Sequence, residues 1–299
     1  MTNSEKIRRK ALSLGFDLCG IARCRSLERQ YDRFKNWLAD GCDGGLEYLR
    51  RNTGKRFDPG ALCEGARSVI VCGVGYHRPP SAHEVASRIA SYAHSRDYHL
   101  TIRERLNELS AYLRELVPGA SGRVFTDTAP LAEKSWAVEA GLGWIGRNSL
   151  LANPRLGSFL LLGEGVTTAE LESDAPFVRD GCGTCRACVD ACPVAAIRPD
   201  RTIDAGRCIS RRTIEAGDGD EGDLHGWLFG CDVCQRACPY NRKAPVSVHD
   251  SFAPLAELER LDIDDWLGLD EAGFRRIFGE TPLARCGLRR LQERIRRLK

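Results

Sequence analysis

Eight of the fourteen cysteines in this 299-residue chain lie between Cys182 and Cys238, spaced as ligands of iron. The run Cys182-x2-Cys185-x2-Cys188-x3-Cys192-Pro193 is the bacterial ferredoxin pattern. A tight loop lets three thiolates converge on three irons of one cubane, while the fourth cysteine has passed onto a helix and points to a neighbouring cluster. The second set is Cys208, followed by Cys231-x2-Cys234-x3-Cys238-Pro239: the same pattern with its first cysteine displaced upstream by an insertion. Exchange of the fourth ligands assigns Cys182, Cys185, Cys188 and Cys238 to one 4Fe–4S cluster. It assigns Cys208, Cys231, Cys234 and Cys192 to the other. Two cubanes in one segment make an electron wire. A pair of zinc sites is the alternative, since tetrahedral zinc also accepts CxxC pairs. A three-cysteine run closed by Cys-Pro and followed by a second such set matches zinc ribbons poorly. The other six cysteines (Cys19, Cys24, Cys42, Cys63, Cys72 and Cys286) are scattered and read as small core residues.

The elements around these motifs follow from apolar periodicity and breakers. Ser4–Leu14 reads as an amphipathic helix with Gly15 as its stop. Its Arg8-Arg9 pair resembles a twin-arginine export signal in letters, but Asp17, Arg23 and Arg25 interrupt any apolar stretch behind it. Leu27–Asp40 has helical spacing (Leu27, Tyr31, Phe34, Trp37, Leu38). Ser68–Gly75 is continuous and β-rich, like a buried strand. Glu84–Ala93, Ile102–Leu116 and Leu131–Ala140 read as helices, and Val124–Thr126 and Ser158–Leu162 as strands. The first of these strands delivers Asp127 at its end. Helices and strands in alternation make residues 1–175 an α/β domain. Residues 176–245 form the cysteine-rich domain, with the acidic glycine stretch Gly217–Asp223 as a loop inside it. Residues 246–299 are helical and increasingly basic.

Apolar content of 42% and charged content of 28% describe a globular chain with a sizeable core. Its apolar runs are strand length, far short of the roughly 20 residues a membrane helix needs. Clustered cysteines without a secretory pattern predict a reducing, cytoplasmic setting and no membrane. The net charge of +3 is unevenly placed: Arg285, Arg289, Arg290, Arg294, Arg296, Arg297 and Lys299 crowd the last segment against Glu293 alone. There is no Walker loop. Gly141-x-Gly143-x-x-Gly146 has the letters of a dinucleotide fingerprint, but a helix precedes it and a strand-like stretch follows, the reverse of the required context.

About 175 residues precede the cysteines, which predicts an active-site domain at the end of the wire. Its informative segment is Asp127-Thr-Ala-Pro-Leu-Ala-Glu-Lys134, running into Gly141-Leu-Gly-Trp-Ile-Gly-Arg-Asn-Ser-Leu-Leu151. With Arg96-Asp97-Tyr98-His99, Lys55-Arg56, Cys208-Ile209-Ser210, Gly230-Cys231-Asp232-x-Cys234-Gln235 and the double-cluster motif, this chain resembles the epoxyqueuosine reductase family. The resemblance covers residues from about 5 to 285. It implies a mixed α/β (α+β) fold: a nitroreductase-like cobalamin-binding domain, a ferredoxin-like double-cluster domain and a short helical C-terminal segment. It also implies an oxidoreductase that reduces the epoxide of epoxyqueuosine, at the wobble position of tRNA, to queuosine. Two electrons would arrive from a ferredoxin or flavodoxin type donor, through both 4Fe–4S clusters, to a base-off cobalamin. The chain is expected to work as a monomer.

The same resemblance assigns site residues. Asp127 matches the general acid. Chemistry supports that role independently, since opening an epoxide leaves an alkoxide that needs a proton, and burial beside a corrin would raise a carboxyl toward donating range. On position alone Asp127 reads as a helix N-cap. Arg56, Asn148, Leu151, Ser210 and Asp232 carry over as cobalamin-facing, through a corrin amide or the phosphate tail for Arg56 and backbone contacts for Asn148 and Leu151. Ser210 and Asp232 sit beside cysteines of the Cys208 set, which would make that cluster the proximal one. Asp97, Tyr98 and His99 line the same pocket, unless His99 is a buried structural residue. Many relatives continue into HEAT-like repeats that grip tRNA, whereas this sequence ends at Lys299 soon after Thr281-Pro282-Leu283-Ala284-Arg285. The basic tail is then the candidate for anticodon-stem phosphates. A reductive dehalogenase-like cobalamin enzyme is one alternative, but those typically carry an export signal and use a tyrosine as acid. A non-enzymatic iron–sulfur relay is the other.

Overall fold

The computed structural model describes residues 1–215 and 222–298. Most of the acidic stretch Gly217–Asp223 lies outside the described residues. The chain enters through α1 (Asn3–Ser13), which a capping box between Thr2 and Glu5 starts. Arg8 is used within the fold, pairing with Asp174 at 2.8 Å. Strand β1 (Leu18–Arg23) follows, then α2 (Glu28–Ala39), the short α3 (Glu47–Arg50) and β2 (Ser68–Gly75). Next come α4 (Tyr98–Leu116), β3 (Gly122–Phe125), α5 (Glu133–Glu139), the small hairpin β4 (Trp144–Ile145) and β5 (Leu151–Ala152), and β6 (Leu160–Thr167).

The main sheet has the order β1-β2-β6-β3, and every pairing in it is antiparallel. Of the two mixed classes, α+β therefore describes the sheet. Central β2 is buried along nearly all its length, which explains its unbroken apolar reading. One face packs against α1 and α4 through Ile7, Ala11, Ile102 and Leu106. The other packs against α5 through Trp136 and Ala137, with Leu27, Leu131, Leu142 and Leu151 in the same core.

Glu84–Ala93 is not the helix its spacing predicts. It forms two separate 3-10 turns, Ala86–Arg88 and Ser91–Ala93. Its apolar residues Val85, Ala86, Ile89 and Ala93 are all fully buried, but in a core shared with Leu228, Phe229 and the C-terminal helices. Long-range packing, not a helix face, set that pattern.

The cysteine-rich segment contributes α6 (Ala187–Ala191), α7 (Ile209–Ile214) and α8 (Val233–Arg236). The C-terminal part holds α9 (Ile263–Gly268), α10 (Glu271–Phe278) and α11 (Leu288–Arg296). Buried Asn241 ties the cysteine-rich segment to the sheet. Its Oδ1 accepts the Ser158 N–H at 2.6 Å, and its Nδ2 donates to Ser158 Oγ at 2.9 Å and to the Gln235 carbonyl at 2.6 Å. Gln235 Nε2 donates back to the Ser158 carbonyl at 2.8 Å. A fully satisfied buried network of this kind fixes one arrangement of its parts. Arg294 of α11 is buried likewise and donates to the carbonyls of Thr213 and Leu228 at 2.9 and 2.6 Å.

Candidate functional site

A cleft of about 2510 Å³, counted out to its open mouth, runs between the sheet and the cysteine-rich segment. Arg56, Asp127, Asn148, Ser210 and Asp232 all line it. Its walls are largely apolar, with Phe34, Trp37, Phe57, Leu131, Ile145 and Leu160–Leu162. Aromatic residues of α2 thus serve the cleft as well as the core, a double duty their helical spacing did not disclose. Leu151 does not line the cleft. It sits on β5, 3% exposed in the α5-side core, while Asn148, Ser149 and Leu150 of the preceding turn reach the cleft instead.

Asp127 follows β3 on a backbone with φ +51°, a conformation costly for a residue with a side chain. It caps no helix: α5 starts six residues later, after Ala132, without any side-chain cap. Its side chain keeps 61% of its surface, open to the cleft. Tyr98, at the start of α4, donates its hydroxyl to Asp127 Oδ2 at 2.7 Å. Burial and the neighbouring Asp127 charge push the Tyr98 phenol far up, so it keeps that proton. His99 Nε2 stands 3.8 Å from the same carboxylate oxygen, and His99 Nδ1 is 2.6 Å from Asp97 Oδ1. Arg285 donates to Asp97 Oδ2 at 2.7 Å. Of the three residues expected to line the pocket only Tyr98 does; His99 and Asp97 stand behind Asp127, with His99 mostly enclosed.

On the opposite wall, Cys192, Cys208, Cys231 and Cys234 line the cleft. Cys192 lies close enough to Cys208 and Cys231 to raise both, Cys208 also raises Cys231, and Cys234 feels Cys231, Cys208 and, from the other set, Cys188. Burial is the leading cause for Cys208, Cys231 and Cys234, and it pushes Cys231 up to about 12. The Ser210 backbone N–H points at Cys208, and Asn148 hydrogen-bonds the Cys234 thiol. The other set lies away from the cleft. Cys188 and Cys238 each feel Cys182 and Cys185. Cys192 therefore neighbours Cys208 and Cys231, and Cys238 neighbours Cys182 and Cys185, which suits the exchanged fourth ligands. Among the described residues, no three His, Cys, Asp or Glu side chains converge on a single-ion site. Trp144 Nε1 donates to Cys182 Sγ at 3.4 Å, an outer contact that spacing alone did not reveal.

The remaining expected residues have mixed duties. Arg56 donates to the Tyr48 carbonyl at 3.0 Å, while its buried Nε has no partner. Asp232 is 1% exposed and spends Oδ2 on the Ser91 N–H and hydroxyl at 2.8 and 2.6 Å. It braces the Ser91 turn against α8. The glycine turn is structural: an added side chain at Gly143 would meet the Ala152 carbonyl at 2.0 Å, so the β4–β5 hairpin closes only over glycine. Of the six scattered cysteines, Cys42, Cys63, Cys72 and Cys286 are buried and Cys19 and Cys24 partly so.

The residues present fit the groups that the resemblance implies. Two foursomes of thiols suit two cubanes. A wide, apolar-walled cleft with an orphaned Arg56 Nε suits a large, flat ligand bearing polar arms.

Comparison with known proteins agrees. Residues 56–128 match the family model "Epoxyqueuosine reductase QueG, DUF1730", and residues 181–241 match "4Fe-4S double cluster binding domain". An epoxyqueuosine reductase of Cyclobacterium marinum is 40% identical over 299 residues, covering 98% of this chain and 96% of its own. An epoxyqueuosine reductase solved with an epoxyqueuosine-modified tRNA-Tyr stem loop superposes with a TM-score of 0.88. It is 26% identical and covers 97% of this chain and 79% of its own. A Bacillus subtilis reductase, solved with its catalytic aspartate loop swung out of the active site, also gives a TM-score of 0.88, at 25% identity over 97% of this chain and 79% of its own. A catabolic reductive dehalogenase shares the fold alone, at 17% identity and a TM-score of 0.52 over 97% of this chain and 37% of its own. No helix among the described residues is long and apolar enough to cross a membrane. The chain belongs to the epoxyqueuosine reductase family.

Proposed function

We propose that this chain reduces the epoxide of epoxyqueuosine at the wobble position of tRNA to queuosine, with Asp127 as proton donor. One observation carries the reading. A single cleft sets Asp127, with Tyr98 and His99 behind it, across from Cys192, Cys208, Cys231 and Cys234.

The reaction takes up two electrons and two protons and releases water. When bound, the two clusters and a base-off cobalamin supply the electrons. Arg56, Asn148, Ser210 and Asp232 would hold the corrin, with Arg56 Nε as the unsatisfied donor on that wall. Tyr98 and His99 both address Asp127 Oδ2, which leaves Oδ1 to carry the transferable proton. That proton turns the opening epoxide oxygen into a hydroxyl, and a second makes it leave as water. The apolar walls exclude bulk water from the reacting carbons. In the Bacillus subtilis relative the aspartate loop swings out of the active site, so the placement of the Asp127 loop is part of the mechanism here.

The set containing exposed Cys185 faces away from the cleft and is the side that a ferredoxin or flavodoxin type donor reaches. The enzyme works as a cytoplasmic monomer. The basic tail contributes less to tRNA than its charge suggests, because Arg294 is buried and Arg285 is bound to Asp97.

The test is anaerobic reconstitution with iron, sulfide and cobalamin, followed by turnover of an anticodon stem-loop bearing epoxyqueuosine. Asp127→Asn should retain both cofactors and lose about 10²–10⁴ in turnover, the usual span for a general acid. Full activity in that variant would remove Asp127 from the chemistry. Failure to retain corrin would remove the cobalamin reading.

A further inference from the structure

The inward-facing side of β6 is apolar except at Glu164. Leu162 and Val166, two residues to either side, belong to the core beneath α5. Glu164 has no exposed surface, and neither of its carboxyl oxygens meets a hydrogen-bond donor at ordinary distance. It sits mid-sheet, opposite Val71 on β2 and Phe125 on β3. A lone carboxylate is untenable in such a place, so the group keeps its proton.

What it faces is Glu133, the first residue of α5. Burial pushes Glu164 well up, and the adjacent Glu133 carboxyl adds to that. Burial and the Asp127 charge push Glu133 up to about 7, while the Asp127 N–H, the neighbouring Glu164 carboxyl and the charge of Lys134 act the other way. Glu133 also accepts the backbone N–H of Asp127 on Oε1. That amide belongs to the residue held at φ +51°. The contacts thus run from the centre of the sheet, through Glu133, to the loop that carries the acid.

We propose that Glu164, in its protonated form, donates to Glu133 and through it latches the Asp127 loop in its inward position. Both glutamates are then positioning residues. The inference rests on Asp127 being the acid of the reaction.

Among the described residues, nothing else facing the pair replaces this donor. Lys134 spends Nζ on the Ser149 carbonyl at 2.7 Å. Cys72 of β2, whose thiol is hydrogen-bonded with that of Cys19, feels Glu164 only as a charge. Tyr98 and His99 of α4 address the Asp127 side chain, not its amide. At high pH both carboxyls ionise and repel, and the latch opens. Turnover therefore declines on the alkaline side.

Two readouts on reconstituted holoenzyme test this: hydrogen exchange at the Asp127 amide, and the pH profile of kcat on the epoxyqueuosine stem-loop. Glu164→Leu removes the donor. It should speed exchange by about tenfold and lower kcat on the order of 100-fold, the scale of a misplaced reacting group. KM and the absorbance of both cofactors should stay unchanged. Glu164→Gln, which offers an amide donor that cannot ionise, should recover about tenfold of that loss and flatten the alkaline limb. Wild-type exchange in Glu164→Leu would overturn the latch, as would identical behaviour of the two variants. The exchange measurement needs no substrate, so it stands even where the reductase reading fails.

Discussion

The two cysteine foursomes share a motif but not a setting. Cys192, Cys208, Cys231 and Cys234 all line the cleft, and none of Cys182, Cys185, Cys188 and Cys238 does. The cleft set is fed by an insertion that carries Cys208 away from Cys231, and α7 begins directly after it, with the Ser210 amide aimed at the Cys208 thiol. The outer set keeps its loop intact, leaves Cys185 exposed, and rests on an aromatic platform. Trp144 stacks near Phe177 at 5.7 Å and meets Tyr240 edge-on at 4.8 Å, and Tyr240 donates to the Gly181 carbonyl at 3.1 Å. The same ligand spacing thus builds one site for the substrate side and one for the solvent side. The difference is made by what the rest of the fold packs around each.

That contrast can be broken at its most sensitive point by Cys234→Ser. Loss of the cleft set should abolish turnover and halve the bound iron, while the outer set keeps its absorbance. Retained turnover would mean that the cleft set is not on the route. A smaller effect is expected from Gly181→Ala. An added methyl at Gly181 would lie 2.2 Å from the Trp144 ring, so ring and loop must part. Overpacking of this kind costs about 1–3 kcal/mol. Iron release during chelator challenge should then start at the outer set; release from both sets together would show that they are not separately supported. The smallest effect belongs to Trp144→Phe, which keeps a ring but removes the N–H directed at Cys182 Sγ. A donor to sulfur favours the more negative, reduced state. Removing about 1 kcal/mol of hydrogen bond should lower the outer potential by about 40 mV, from 59 mV per tenfold for one electron. Redox titration followed by electron paramagnetic resonance should find the cleft set unmoved.

Thiolate spacing was legible because cubane geometry is written over three or four residues at a time. The exchange of Cys192 and Cys238 follows from that local rule; in the fold Cys192 lies near Cys231 and Cys238 near Cys182 and Cys185. Asp127 was legible through its motif, but its surroundings were not. Its partner Tyr98 is 29 residues upstream, and its φ of +51° is imposed by the fold. Glu164 left a faint signal, one acid in an apolar stretch, and only folding brings Glu133 to it. Strand β1, only six residues long with Gly20 within it, was too short to stand out. The turns around Ala86 and Ser91 show the opposite error, where buried residues at helical intervals served a distant core.

The Asn241–Ser158–Gln235 knot has a consequence for rate. Electron tunnelling falls off exponentially with separation, so a wire that flexes is limited by its rarest close approach. Ser158 precedes the strand that forms the cleft wall, Gln235 follows Cys234 directly, and Asn241 lies three residues past Cys238. Stitching those three points together leaves little room for the gaps along the route to breathe. With both clusters bound, the speed of each transfer would then be governed by driving force more than by motion, as in a soldered joint compared with a spring contact.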